Sequence, residues 1–180
     1  MKRAQLELGG HSPVIVDRGV DVARVAELAS VSRFRNSGQN CHGPTRFIVH
    51  AQVYDTFCAR MASLGSAIRV GNGLDADTRM GPLIHRRRVD AMRAFTDDAR
   101  SQGARVLCGG AAPSQDTTGN FWLPTVISDI PPNARAMREE VFGPIALVTP
   151  FDDLDEAIEL ANSVDFGLGA YAFSNSFDVL

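Results

Sequence analysis

The chain predicts an α/β fold: an open, mostly parallel, twisted sheet with helices on both faces. Three observations carry that expectation. Short β-prone apolar runs alternate along the chain with segments of helical periodicity, the pattern of strands joined by helical crossovers. Two helical segments show a long buried stripe: Val53, Phe57, Met61, Leu64 and Ile68 in one, Val89, Met92, Phe95 and Ala99 in the other. The 180 residues, 44% hydrophobic and 22% charged, suit one globular domain with a real core and are too few for two comfortable ones.

In chain order, the Gly9-Gly10 pair permits backbone turns and close approach of another group. Pro13–Asp17 then reads as a short buried strand. Asp21 can cap a helix over 22–35, with Val22, Val25 and Ala29 on one apolar face. Thr45–His50 is the next strand, followed by a helix over 51–69 that contains Cys58 as a packing residue. Residues 70–82 are rich in Gly and Asp and read as a long loop. They lack the GxxxxGK[ST] pattern of a phosphate-cradling loop. A second long helix is expected over 83–102, with Gly103 as its stop. Residues 104–108 form a short strand ending in Gly109-Gly110, which makes Cys108 a strand-end core residue.

Residues 111–120 carry Pro, Ser, Asp, Thr and Gly and predict an exposed turn. The run Phe121–Ile127 is apolar, but Pro124 demotes it to an edge or irregular strand. Ile145–Thr149 is a further strand. Asp152 or Asp153 can cap a helix over 154–162, and a last strand is expected near 168–173. There is no internal repeat and no low-complexity segment.

The bulk chemistry excludes several functions. A formal net charge of −3 leaves no electrostatic footprint for nucleic acid or an anionic membrane. Arg86-Arg87-Arg88 is a basic cluster at a helix start and reads as a solvated face. No apolar run approaches the roughly 18 residues of a membrane span, and the N-terminus has no secretory pattern. Cys41, Cys58 and Cys108 form no CxxC pair, and an odd count argues against a disulfide framework. Reduced thiols point to an intracellular, cytoplasmic setting. His11, His42, His50 and His85 are scattered without metal-ligand spacing.

One stretch stands apart. In Asn36-Ser37-Gly38-Gln39-Asn40-Cys41-His42-Gly43-Pro44-Thr45-Arg46, a thiol sits in a polar, glycine-flanked loop between a helix and a strand. Loops anchored this way carry much of the chemistry of α/β proteins. Three motifs occur in order: Glu7-Leu8-Gly9-Gly10, Gly38-Gln39-Asn40-Cys41, and Glu139-Glu140-Val141-Phe142-Gly143-Pro144. Together, and with 41 − 7 = 34 positions from the glutamate to the cysteine, they resemble the catalytic domain of the NAD(P)-dependent aldehyde dehydrogenase superfamily. The resemblance covers essentially the whole chain.

The resemblance implies oxidation of an aldehyde to its carboxylic acid with NAD or NADP, through a thioester on Cys41. A thiolate suits the first step as the most nucleophilic common side chain near neutral pH. Hydrolysis of the thioester then needs a general base. By resemblance Cys41 is the nucleophile, Glu7 the base, and the Cys41 N–H an oxyanion donor. On the same ground Glu140 holds the nicotinamide-side ribose and Phe142 packs against that part of the cofactor, while Leu8 and Gly9 line its approach. His11 stands where the family commonly has lysine and carries no assigned role. His42, next to Cys41, is a candidate to assist its ionisation.

The stretch from Cys41 to Arg46 looks most like members acting on semialdehydes such as succinate semialdehyde, although Arg46 fits a structural role as well. The resemblance also implies a dinucleotide-binding domain ahead of Glu7 and later segments used in homo-oligomers. Neither is expected within these 180 residues, so the chain reads as a partial catalytic domain, inactive alone. Two other readings stay open: a non-catalytic module that pairs with a partner chain, and an esterase using Cys41.

Overall fold

In a computed structural model that describes residues 2–113 and 119–176, the alternating apolar residues of six strands build one sheet. The elements run β1 (Ser12–Val16), α1 (Val22–Phe34), β2 (Pro44–His50), α2 (Ala51–Ser66), α3 (Arg86–Ser101), β3 (Arg105–Cys108), β4 (Thr125–Ser128), α4 (Arg135–Arg138), β5 (Ile145–Phe151), α5 (Leu154–Ala161) and β6 (Tyr171–Phe173). Their order across the sheet is β3-β4-β5-β2-β1-β6. Every pairing is parallel except β3 with β4, which is antiparallel.

Strand alternation sorts the core into layers. Val14, Val16, Phe47, Val49, Val126, Ala146 and Val148 face α1 and α2, packing with Ala26, Phe57 and Met61. On the opposite face Ile127, Ile145 and Leu147 pack with Val89, Met92, Phe95 and Ala99 of α3. Ile48 and Phe151 meet Ala157 of α5 on that same side. A β2 buried along its whole length is what a central parallel strand requires.

Four helix starts among the described residues have side-chain caps, one of them His50 Nδ1 accepting from Gln52 N–H at 3.1 Å at the head of α2. The Asp21 carboxylate accepts from Arg24 N–H at 3.0 Å, and Asp153 from Glu156 N–H at 2.9 Å. Helix α3 begins three residues later than the sequence predicts, because His85 Nδ1 accepts from Arg88 N–H and caps it. Gly103 takes φ +92° just past its end, where a side chain would be strained.

Two expectations are corrected. The 121–127 run does not form an edge strand: β4 starts at Thr125, lies between β3 and β5, and is buried throughout. Pro124 stands one residue ahead of the ladder, so its missing N–H costs nothing, and the first bond runs from Thr125 N–H to Pro144 O at 2.9 Å. Nor is the 86–88 run wholly a solvated face. Arg86 is exposed and pairs with Asp90, but Arg88 is half-buried and donates to the carbonyls of Val141 and Phe142. Residues 114–118 of the expected exposed turn lie outside the described residues.

Candidate active site

The sheet topology brings distant motifs together at the amino ends of its parallel strands. Cys41 lies just before β2, the Glu7–Gly10 segment just before β1, and Glu140–Phe142 just before β5. Because β2 runs between β5 and β1, the thiol loop enters the sheet with the other two segments on either side. All six residues singled out by the motifs, Glu7, Leu8, Gly9, Cys41, Glu140 and Phe142, line one open cleft of about 450 Å³ together with Gln39 and Asn40.

The Cys41 loop is rigidly built. After α1 the chain takes three left-handed residues, Asn36 (φ 52°), Ser37 (φ 55°) and Gly38 (φ 68°), an unusual run that the surroundings must hold. Ser37 Oγ donates to Gly81 O at 2.7 Å, and Asn36 Nδ2 donates to Gln39 O at 2.9 Å. The Gln39 side chain donates to Asn36 O and accepts from Ile84 N–H at 2.9 Å. Gly43 N–H closes a turn onto Asn40 O at 3.1 Å. Cys41 is left half-buried, its Sγ 3.9 Å from His42 Nδ1. Tyr171 of β6 holds the His42 carbonyl at 2.7 Å.

Gly10 ties the glutamate segment to this loop. A Cβ at Gly10 would stand 1.8 Å from the Cys41 carbonyl oxygen, so the two backbones touch only because Gly10 has no side chain. Its N–H donates to Glu140 Oε1 at 2.9 Å. Glu140 Oε2 faces the space beside Gly9, 3.5 Å from where a Cβ would sit. Glu7 is exposed, with Gln5 Nε2 donating to it at 3.2 Å. Phe142 is half-buried with φ 38°, a left-handed conformation rare for a bulky residue.

These residues fit the nicotinamide half of a dinucleotide. A carboxylate oxygen facing open space beside a glycine suits hydroxyl donors, and a half-buried aromatic ring offers an apolar wall.

Other residues have purely structural surroundings. Arg46 is buried; it donates through Nε to His11 O, through Nη1 to Leu160 O and through Nη2 to Ala161 O, tying β1 to the end of α5. Backbone carbonyls take up donors of all three of its nitrogens, so its presence at the end of the Cys41–Arg46 stretch has a structural explanation. His11 is buried beside Thr45, and burial, with the charges of Arg46 and Arg33, pushes its imidazole down to about 3. Burial pushes the Cys58 thiol up to about 12, as suits a packing residue.

Sequence reasoning missed Arg33 and Arg88. Arg33 is buried in α1 and donates to Pro44 O at 3.0 Å, to Gly38 O at 2.6 Å, and to Gly143 O. A signal was present: position 33 continues the Val22, Val25, Ala29 stripe, so a cation there falls on the buried face. Arg88 lay hidden in a run whose other members are exposed.

Fold and cleft together define a class, an α/β domain that presents a thiol and two carboxylates to one open space. The chain belongs to the aldehyde dehydrogenase family, whose profile matches residues 1–180. It is 40% identical over 174 residues to the succinate-semialdehyde dehydrogenase [NADP(+)] of Escherichia coli, matching 97% of this chain and 36% of the relative. It is 43% identical over 176 residues to a 4-(hydroxymethyl)benzenesulfonate dehydrogenase of Comamonas testosteroni, matching 98% of this chain and 36% of that one. The structure of lactaldehyde dehydrogenase from Escherichia coli superposes with a TM-score of 0.91 at 35% identity, covering 96% of this chain and 36% of the other. The chain thus spans little more than a third of the length of the relatives it matches.

Proposed function

We propose that this chain carries the nucleophile, the general base and the nicotinamide-side wall of an NAD(P)-dependent aldehyde dehydrogenase. The carrying observation is that the three motifs, up to 133 positions apart between Glu7 and Glu140, converge on one cleft. Family membership supports the reading.

Cys41 Sγ adds to the aldehyde carbon, and the Cys41 N–H faces the developing negative charge on its oxygen. The His42 ring nitrogen, 3.9 Å from the sulfur, is proposed to assist ionisation of the thiol. Glu140 and Phe142 would hold the nicotinamide half of the cofactor, and Leu8 and Gly9 would line its approach. That group, when bound, supplies the hydride acceptor that turns the adduct into a thioester on Cys41. Glu7, exposed on the chain leading to Gly9, takes a proton from the water that hydrolyses the thioester. The product acid leaves and the thiol is restored.

A semialdehyde is the proposed substrate class. It rests on the relatives' names, which include succinate- and glutarate-semialdehyde dehydrogenases, and no longer on Arg46. The 180 residues alone are proposed to bind cofactor weakly and not to turn over, since the residues of their cleft suit the nicotinamide half of the cofactor.

Two measurements test this. Incubating the protein with an activated acyl ester and digesting it should place the acyl group on Cys41; labelling elsewhere, or none, overturns the assignment of the nucleophile. Calorimetric titration of the 180-residue chain with NAD and NADP should show weak binding, and tight binding refutes the proposal that these residues alone hold the cofactor weakly.

A further inference from the structure

The geometry points to Arg33 as a positioning residue that locks the Cys41 loop to the Glu140–Phe142 wall, so that the two sides of the cleft keep one spacing. The reading of what those sides do rests on the proposed function; the coupling itself does not.

Arg33 contacts three carbonyls that belong to both walls. Gly38 O and Pro44 O are the two ends of the loop carrying Cys41, and Gly143 O directly follows Phe142. No carboxylate pairs with it among the described residues; the carbonyl oxygens alone face the charge. Burial pulls its guanidinium down to about 10, which leaves it charged at neutral pH. A buried cation with no counter-ion is costly to keep, and hydrogen bonds to a charged group are the strong kind. It sits where the Cys41 loop and the backbone after Phe142 meet. Glycines make the space: a Cβ at Gly38 would stand 2.2 Å from Arg33 Nη2 and 2.3 Å from Gly143 O.

Arg88 provides the internal comparison. It reaches the second wall only, donating to Val141 O and Phe142 O, and so braces the left-handed backbone at Phe142 without touching the Cys41 loop. Arg33 therefore couples two walls, and Arg88 steadies one.

The test is hydrogen exchange read on peptides covering 36–44 and 140–145, with the rate of iodoacetamide alkylation at Cys41, on the 180-residue chain. In Arg33→Met, exchange should rise about tenfold to a hundredfold in both peptides, as expected when hydrogen bonds to a charged group are lost, while α3 and β4 stay protected. Cys41 alkylation should change in step. In Arg88→Met only the 140–145 peptide should loosen, and Cys41 alkylation should stay within about twofold of the parent, since a bond made elsewhere leaves it unaffected. Arg33→Lys, which keeps the charge and part of the donor set, should restore protection part-way in both peptides. If Arg33→Met does not fold, Arg33→Gln takes its place in the comparison.

A rise spread evenly over the chain, a rise confined to one wall in Arg33→Met, or no rescue by lysine overturns the inference. None of these readouts needs aldehyde turnover. Failure of acyl transfer to Cys41 would sink the functional reading while leaving the coupling to stand or fall on exchange alone.

Discussion

Gly10 tolerates no side chain, because a Cβ there meets the Cys41 carbonyl oxygen at 1.8 Å and backbone cannot give way cheaply. Gly10→Ala should therefore cost about 2 to 4 kcal/mol in a denaturant melt and slow Cys41 alkylation, since overpacking against backbone is relieved only by moving the loop. Cys41→Ser should abolish covalent labelling at that position and leave the melting temperature little changed, as a half-buried swap of one small side chain for another. His11 carries a pH dependence. The fold favours its neutral imidazole, so the stabilisation is complete above the ordinary value of 6.5 and is lost as pH falls toward 3. Melts across that window should show stability falling by up to about 1.4 kcal/mol per pH unit from this group, and His11→Asn should flatten the curve. The motifs holding Cys41, Glu7 and Glu140 stood out in the sequence because each is short and their order could be checked, and the fold brings the three residues to one cleft. Arg33 and Arg88 did not stand out, because a carbonyl-binding arginine acts through backbone drawn from anywhere in the chain, and its partners have no sequence identity to betray them.

At the scale of elements, helix positions followed from apolar spacing, and their starts followed from capping chemistry where Asp was the cap. Asp21→Ala should lower stability by about 1 kcal/mol in a urea melt through loss of the bond to Arg24 N–H at the head of α1, and Asp21→Asn should recover most of it. The start of α3 was missed because histidine is an uncommon cap and Leu83 extends the apolar stripe backward. Strand β4 was misjudged for an instructive reason. Proline forbids a ladder bond at its own position only, and Pro124 stands just outside the ladder, so a residue that reads as a breaker marks a boundary instead. Trp122, two residues earlier, is buried with its Nε1–H donating to Thr125 Oγ1 at 3.0 Å, which anchors that boundary.

At the scale of the molecule, alternation of strands and helices gave the sheet and its two helical layers, but strand order was out of reach. Parallel strands bond in any order that crossovers permit, and nothing in the apolar pattern says that β2 lies between β5 and β1. That order is what turns three remote motifs into one cleft. It gives the thiol a further use as a clock for assembly. The Cys41 environment exists only once β1, β2 and β5 are seated side by side and Gly10 has closed against the loop. Pairings this distant in the chain form late, after local helices. Pulse labelling of Cys41 during refolding should therefore reach its native rate after helical circular dichroism has recovered, and the lag would time the closing of the sheet's centre.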